Sequence, residues 1–153
     1  LARRVERRRG GERGAALMSA AVVDASVWVS RLVSADVHHA ASRAWLETHA
    51  ASGGQFVAPT LALSEIAGAV SRRTGNPKSA YDAVAVITRL PTLRLVSVDS
   101  NLAQTAARLA ADHALRGADA VYVALALELG LPLITLDHEQ LARTGGIISA
   151  SKP

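Results

Sequence analysis

The chain has 153 residues, half of them apolar, which suits one folded domain and argues against a disordered protein. It contains no cysteine, so disulfides, thiolate metal sites and a cysteine nucleophile are excluded. The formal charge is +4, but residues 1–17 carry six arginines against two glutamates and account for all of it. The rest of the chain has 11 basic and 11 acidic residues, so the predicted domain itself is neutral.

We interpret residues 1–17 as a flexible arginine-rich leader and expect the domain to span residues 18–153. The interpretation we favour is an upstream coding segment, with the natural protein beginning at Met18. A signal peptide is disfavoured because the apolar run of residues 15–23 stops at Asp24 without a small-residue cleavage site.

No segment is apolar for long enough to cross a membrane. The most apolar stretch, residues 121–136, is interrupted by Glu128, Gly130 and Pro132 and falls short of the roughly 20 residues that a spanning helix needs. We therefore expect a cytoplasmic protein without membrane partners.

Short apolar runs alternate with longer helical patterns, which is typical of a parallel sheet covered by helices. Strands are predicted at residues 20–23, 55–58, 93–98 and 133–135, with a short fifth strand at 147–148. Helices are predicted at residues 27–32 and 37–51, from Pro59 to a break at Gly75, along a stripe of Tyr81, Val84, Ala85 and Thr88, and at residues 102–113, 118–129 and 139–143. The fold class is therefore α/β.

Two aspartates follow predicted strands directly. Asp24 comes after the first strand, and Asp137 comes after the fourth. In a doubly wound parallel sheet the carboxyl ends of the strands form the edge where ligands bind. Each residue also fits a simpler role, because an aspartate at such a point often caps the helix that follows.

Two further acids lie on helices that leave the same edge. Asp119 is the sole charged residue between Gly117 and Leu127, in the first turn of a helix too apolar to be exposed. A favourable charge at the helix N-terminus is its simpler role. Glu65 lies one residue off the apolar stripe of its helix, and its simpler role is a boundary position in solvent.

The four acids can converge on one cleft in a parallel sheet. Carboxylates crowded to 4 Å repel each other by about 4 kcal/mol per pair at an effective dielectric of 20. Such a group takes up protons or binds hard divalent cations, and oxygen ligands suit Mg²⁺ or Mn²⁺. No glycine-rich phosphate loop is present, so nucleotide binding by such a loop has no support.

Four segments carry a family resemblance: VVDASVWV with Asp24, TLALSEIAGAV with Glu65, LRGADAVYVALA with Asp119 and LITLDHE with Asp137. In this order over about 135 residues, they resemble the PIN-domain ribonucleases, and among them the VapC toxins of bacterial toxin–antitoxin pairs. The most specific part is DAVYVALA followed 18 residues later by an aspartate.

The resemblance implies a three-layer α/β/α sandwich with a central parallel sheet of four to five strands. It also implies a Mg²⁺- or Mn²⁺-dependent endoribonuclease that cleaves RNA, commonly transfer RNA, and inhibits translation. Asp24 and Asp119 would be the principal metal ligands, Glu65 and Asp137 would complete the catalytic site, and Ser26 and Thr135 match supporting hydroxyl positions. The implied partners are a VapB-like antitoxin and a second copy of the chain.

Several points stay open at the level of sequence. Arg116 can reach the same edge, where it would pair with a carboxylate or hold a phosphate. Members of the family often carry an aromatic residue or another acid shortly after the fourth aspartate. His138 and Glu139 stand there in this chain, and their roles are undecided.

Three other functions remain as alternatives. They are a solitary PIN-type RNA-processing nuclease, a PIN-type scaffold that binds RNA or protein without cutting, and a magnesium-binding receiver module. A receiver needs a lysine on a late strand, whereas Lys78 and Lys152 are the two lysines and neither lies on a predicted strand.

Overall fold

The computed structural model describes residues 19–153, so the predicted leader and Met18 lie outside the described residues. Five strands form one sheet: β1 (Ala20–Val23), β2 (Gln55–Pro59), β3 (Leu93–Val96), β4 (Leu133–Ile134) and β5 (Ala150–Ser151). Seven helices are described: α1 (Ala25–Leu32), α2 (His39–Ala51), α3 (Ala62–Thr74), α4 (Pro77–Thr88), α5 (Ser100–His113), α6 (Gly117–Leu129) and α7 (His138–Arg143).

The sheet is parallel throughout, with the strand order β3-β2-β1-β4-β5. In the middle of the sheet Val22 lies opposite Val57 on one side and Leu133 on the other, and all three side chains are buried. Burial on both faces explains why the central strands are apolar runs without polar alternation.

The helices lie in two layers that cover the two faces of the sheet. Helices α1 to α4 pack on one another in one layer, and α5 packs on α6 in the other. Helix α6 lies against β1, β2 and β4, and every residue from Ala120 to Ala126 is buried. A helix that is apolar on all sides needs such a central position. The predicted α/β fold with five strands is confirmed.

The order of the strands reverses between β1 and β4. The chain passes from β1 outward to β2 and β3, then returns to place β4 on the other side of β1. At such a reversal the connections after neighbouring strands leave in opposite directions and open a crevice beyond their carboxyl ends. The chain that follows β1 and β4 therefore borders one crevice.

Two predictions of local structure were wrong. Pro59 does not begin a helix but ends β2, opposite Val96, and α3 starts at Ala62. The fifth strand lies at Ala150–Ser151, not at residues 147–148, because the backbone of that segment folds back onto the carbonyl of Thr144.

Helix α4 is present as predicted, but its buried residues are not those of the predicted stripe. Tyr81 on that stripe is 74% exposed, whereas Ala80, Ala83 and Ile87 face the core. Both sets of residues have helical spacing, and the small side chains on the adjacent face let α4 approach α3 closely.

Candidate active site

All four predicted acids line one open cleft at the carboxyl edge of the sheet, with a volume of about 460 Å³. Asp24 follows β1, Glu65 lies in the first turn of α3, Asp119 lies in the first turn of α6, and Asp137 follows β4. Ser26 and Arg116 also border the cleft. The structure thus brings together the acids that the sequence placed at this edge.

Asp24 is the most buried acid of the cleft, at 6% exposure. Its carboxylate caps α1 by accepting a hydrogen bond from the backbone N–H of Ser26 at 3.0 Å. Burial raises the pKa of Asp24, the hydrogen bonds from Ser26 lower it, and the nearby charge of Asp119 raises it further. The capping role expected from the sequence is present, and it coexists with a position inside the cleft.

Glu65 is half-buried and is held by a residue that the sequence reading did not single out. The hydroxyl of Tyr122, on α6, donates a hydrogen bond to Glu65 Oε2 at 2.6 Å. Burial raises the pKa of Glu65, the Tyr122 hydroxyl lowers it, and the charges of Asp24 and Asp119 raise it. Burial likewise raises the pKa of Tyr122, so the phenol remains a donor.

Asp119 and Asp137 share one basic partner. Arg116 Nε donates to Asp119 Oδ2 at 2.9 Å, and a terminal nitrogen of the same guanidinium donates to Asp137 Oδ2. Burial raises the pKa of Asp119, while the hydrogen bond and charge of Arg116 lower it. Arg116 therefore neutralises part of the negative charge of the cleft.

Asp137 has both carboxylate oxygens engaged. Its Oδ1 accepts the backbone N–H of Gln140 at 2.9 Å and so caps α7, while Oδ2 accepts from Arg116. The side-chain amide of Gln140 donates to the backbone carbonyl of Asp119 at 3.2 Å, which ties the start of α7 to α6.

The two hydroxyl residues support the loop that carries Asp137. Thr135 Oγ1 accepts the backbone N–H of Asp137, and Ser26 Oγ accepts the backbone N–H of Leu136, both at 3.0 Å. The hydroxyl of Thr135 also lowers the pKa of Asp24. Both residues thus connect the chain after β1 to the chain after β4.

The two residues after Asp137 do not line the cleft, although the charge of Glu139 contributes to raising the pKa of Asp119. His138 and Glu139 are exposed, and Glu139 lies 3.8 Å from Arg143 on the same helix. Arg72 and Arg73, at the end of α3, do line the cleft, and Arg73 pairs with Asp36. The cleft lining therefore carries arginines from the end of α3 as well as Arg116.

The donor set suits a hard divalent cation, since the acids supply carboxylate oxygens alone. In the described chain, residues 19–153, no three His, Asp or Glu side chains stand close enough to form a ready-made metal cage. Arg116 pairs with Asp119 and Asp137, whereas Asp24 and Glu65 accept hydrogen bonds from Ser26 and Tyr122. The chemistry of these donors, carboxylate oxygens alone, fits such an ion.

The model of the PIN domain family matches residues 21–147. The chain belongs to the PIN-domain family. The match covers the sheet core and all four acids of the cleft. No curated protein matches the sequence.

Solved structures share the fold of this PIN domain. The toxin VapC20 of Mycobacterium tuberculosis, described as cleaving the sarcin–ricin loop, is 24% identical with a TM-score of 0.70, and the match covers 88% of this chain and 100% of that one. VapBC2 of Rickettsia felis, bound to a fragment of promoter DNA, is 12% identical with a TM-score of 0.68, covering 88% and 98%. A toxin–antitoxin complex of Klebsiella pneumoniae is 19% identical with a TM-score of 0.62, covering 87% and 97%.

These comparisons confirm the predicted family and the predicted three-layer fold. At such identities the property shared with the solved structures is the fold. The roles of the individual acids stay predictions. Among the described residues no helix of the PIN domain is long and apolar enough to span a membrane.

Proposed function

We propose that this PIN domain is a divalent-metal-dependent endoribonuclease that hydrolyses RNA phosphodiester bonds and acts as the toxin of a VapBC-type pair. The observation that carries the proposal is the meeting of four carboxylates, from four separate elements, in one cleft at the point where the strand order reverses. Ligands of parallel α/β folds bind at such reversals.

The crowding of carboxylates in the cleft supports the binding of a cation there. The pKa values of Asp24, Glu65 and Asp119 are all raised, first by burial, and the nearby carboxylates add to the effect. Asp24 and Asp119 would hold Mg²⁺ or Mn²⁺, with Glu65 and Asp137 completing the set. The ion, when bound, would supply a Lewis acid for the phosphate and for the attacking water.

The chain's own residues would orient the RNA. Arg72, Arg73 and Arg116 border the cleft and can contact backbone phosphates. The chain has only five aromatic residues, so stacking of bases cannot supply most of the affinity. Hydrolysis would break the bond from phosphorus to the 3′-oxygen, leaving a 5′-phosphate and a 3′-hydroxyl, with the proton of the attacking water accepted by a cleft carboxylate.

The toxin role rests on the solved structures of similar fold, two of which are toxin–antitoxin assemblies and one of which is described as a toxin that cleaves the sarcin–ricin loop. By that similarity we propose a VapB-like antitoxin as partner, a homodimer as the assembly, and inhibition of translation through cleavage of a structured RNA such as transfer RNA.

The test is cleavage of end-labelled transfer RNA by the purified protein in Mg²⁺ or in EDTA. We expect cleavage in Mg²⁺, none in EDTA, and a loss of at least about 100-fold in Asp119→Asn, because metal-assisted stabilisation amounts to several kcal/mol. The control is Asp82→Asn, which removes an exposed carboxylate that pairs with Lys78 outside the cleft. Equal cleavage in EDTA, or full activity of Asp119→Asn, would refute the proposal.

A further inference from the structure

One arginine makes both ion pairs of the outer cleft, the part of the cleft that holds Asp119 and Asp137. Arg116 contacts Asp119 and Asp137 at once, although 64% of its side chain is exposed. The two carboxylates are more buried, at 15% and 22% exposure, but the exposed guanidinium leaves both ion pairs open to screening by solvent ions. The contact is therefore one that a competing cation can replace.

Helix stability does not explain why an arginine stands at this position. Arg116 is the N-cap of α6, and its side chain makes no capping hydrogen bond. A positive charge at a helix N-terminus is unfavourable, because the exposed N–H groups there carry partial positive charge. The two carboxylates are thus what holds the guanidinium in place.

The contacts of Arg116 also affect which carboxylate oxygens a divalent ion can reach. Because Oδ1 of Asp137 caps α7 and Oδ2 accepts from Arg116, both carboxylate oxygens of Asp137 already accept a hydrogen bond while Arg116 is in place. Asp119 gives Oδ2 to the same guanidinium. A divalent ion that needs these oxygens has to compete with Arg116.

We propose that Arg116 is an internal counter-cation that occupies the outer half of the metal site, is displaced when a divalent ion binds, and then contacts the RNA phosphate. The inference rests on the proposed function, since it takes Asp119 as a ligand of the ion. It makes Arg116 a positioning residue with two opposed effects: its contact weakens ion binding to the free protein and strengthens RNA binding to the loaded one.

The test is the affinity for Mn²⁺ alone, measured from the free-Mn²⁺ signal in electron paramagnetic resonance, without RNA. We expect Arg116→Gln to bind Mn²⁺ about tenfold more tightly than the wild type, within the usual range of coupling between two sites. The matched control is Arg72→Gln, which removes the same charge from the same cleft. Within residues 19–153, Arg72 forms no ion pair with a carboxylate, so we expect a change below about twofold from screened charge alone.

A second readout separates competition from a general loss of structure. In saturating Mn²⁺, the KM for RNA of Arg116→Gln should rise, while Mn²⁺ affinity moves in the opposite, tighter direction. Arg116→Lys, which keeps the charge but loses the two-pronged contact, should fall between glutamine and wild type in Mn²⁺ affinity. Weaker Mn²⁺ binding by Arg116→Gln, or equal changes in Arg116→Gln and Arg72→Gln, would overturn the inference.

The failure of this inference and that of the proposed function give different results. If Asp119→Asn binds Mn²⁺ as tightly as wild type, the metal site itself is wrong and both proposals fall. If Asp119→Asn loses Mn²⁺ but Arg116→Gln gains no affinity, the metal site stands and the role of Arg116 is overturned.

Discussion

The inner and outer halves of the cleft differ in what faces their carboxylates. Asp24 and Glu65, the inner pair, receive hydrogen bonds from neutral groups, the N–H of Ser26 and the hydroxyl of Tyr122. Asp119 and Asp137, the outer pair, share the guanidinium of Arg116. In the described chain no basic side chain forms an ion pair with Asp24 or Glu65.

This difference suggests different roles for the inner and the outer carboxylates of the site. The inner carboxylates accept hydrogen bonds from neutral groups and form no ion pair, which is the arrangement that favours a bound cation. The outer carboxylates are compensated by a group that can leave. We therefore expect inner changes to affect chemistry and stability together, and outer changes to affect ion exchange and RNA binding.

The largest expected effect is that of Asp24→Asn on the inner half. Asparagine keeps an oxygen that can accept the N–H of Ser26 and cap α1, but it removes the buried charge. Cleavage should therefore fall at least about 100-fold. In EDTA at pH 7.5 the variant should melt at a higher temperature than wild type, because a charge buried without a cation is destabilising. Cleavage rates and thermal melting measure the two effects.

The pH dependence of melting gives this prediction a sign. The pKa of Asp24 is raised in the folded state. At a pH between the unfolded and the folded pKa, the folded chain therefore keeps a proton on Asp24 that the unfolded chain has released. The contribution of Asp24 to stability therefore falls as pH rises from the unfolded pKa, about 3.9, through the raised folded pKa. Asp24→Asn should show a weaker decline in EDTA than wild type does.

The matched control for Asp24→Asn is Asp99→Asn. Asp99 caps α5 by accepting the N–H of Leu102 at 2.9 Å, but it is exposed and lies outside the cleft. The Asp99→Asn variant should leave both the cleavage rate and the pH dependence of the melting temperature unchanged. If the two variants behave alike, Asp24 is a helix cap and nothing more.

A smaller effect is expected from Tyr122→Phe, which removes one hydroxyl from the inner half. Because that hydroxyl lowers the pKa of Glu65, its loss should raise this pKa. The acid limb of the pH–rate profile should move to higher pH, and cleavage at neutral pH should fall about tenfold, as for partners that orient metal ligands. An exposed control is Tyr81→Phe on α4. An unmoved acid limb would show that Tyr122 only fills the core.

The smallest effect is expected from Ser26→Ala, at the junction of the two halves. The variant leaves the N–H of Leu136 without its acceptor and should lower the free energy of unfolding by about 1 kcal/mol. Cleavage should fall only a few fold, since the loop that carries Asp137 keeps its Thr135 contact. Chemical denaturation and cleavage assays measure both. A loss as large as that of Asp24→Asn would mean that the Ser26 hydroxyl acts on the substrate or ion.

The sequence was sufficient for elements that local chemistry determines. Strand β1 and the capping of α1 by Asp24 could be expected from the sequence, because an apolar run and a capping aspartate act within a few residues. Pro59 was misread because proline is equally suited to a helix start and to a strand end, and only the pairing with Val96 decides.

The same limit applies to the site: the sequence could place residues that local patterns mark, but not contacts between distant residues. The four acids could be placed at one edge because each follows a strand or starts a helix there, and the approach of Arg116 was foreseen from its spacing to Asp119. The Tyr122–Glu65 bond joins residues 57 positions apart, which no local pattern encodes. A polar hydroxyl inside an otherwise apolar helix was the signal that could have pointed to it.

The most direct test of the metal site is a crystal structure of the protein soaked in Mn²⁺, with anomalous scattering used to locate the ion. We expect a peak in the cleft bounded by the carboxylates of Asp24 and Asp119, with Arg116 no longer bonded to Asp119. A cleft without an anomalous peak, its Arg116 bridge intact at saturating Mn²⁺, would contradict the account.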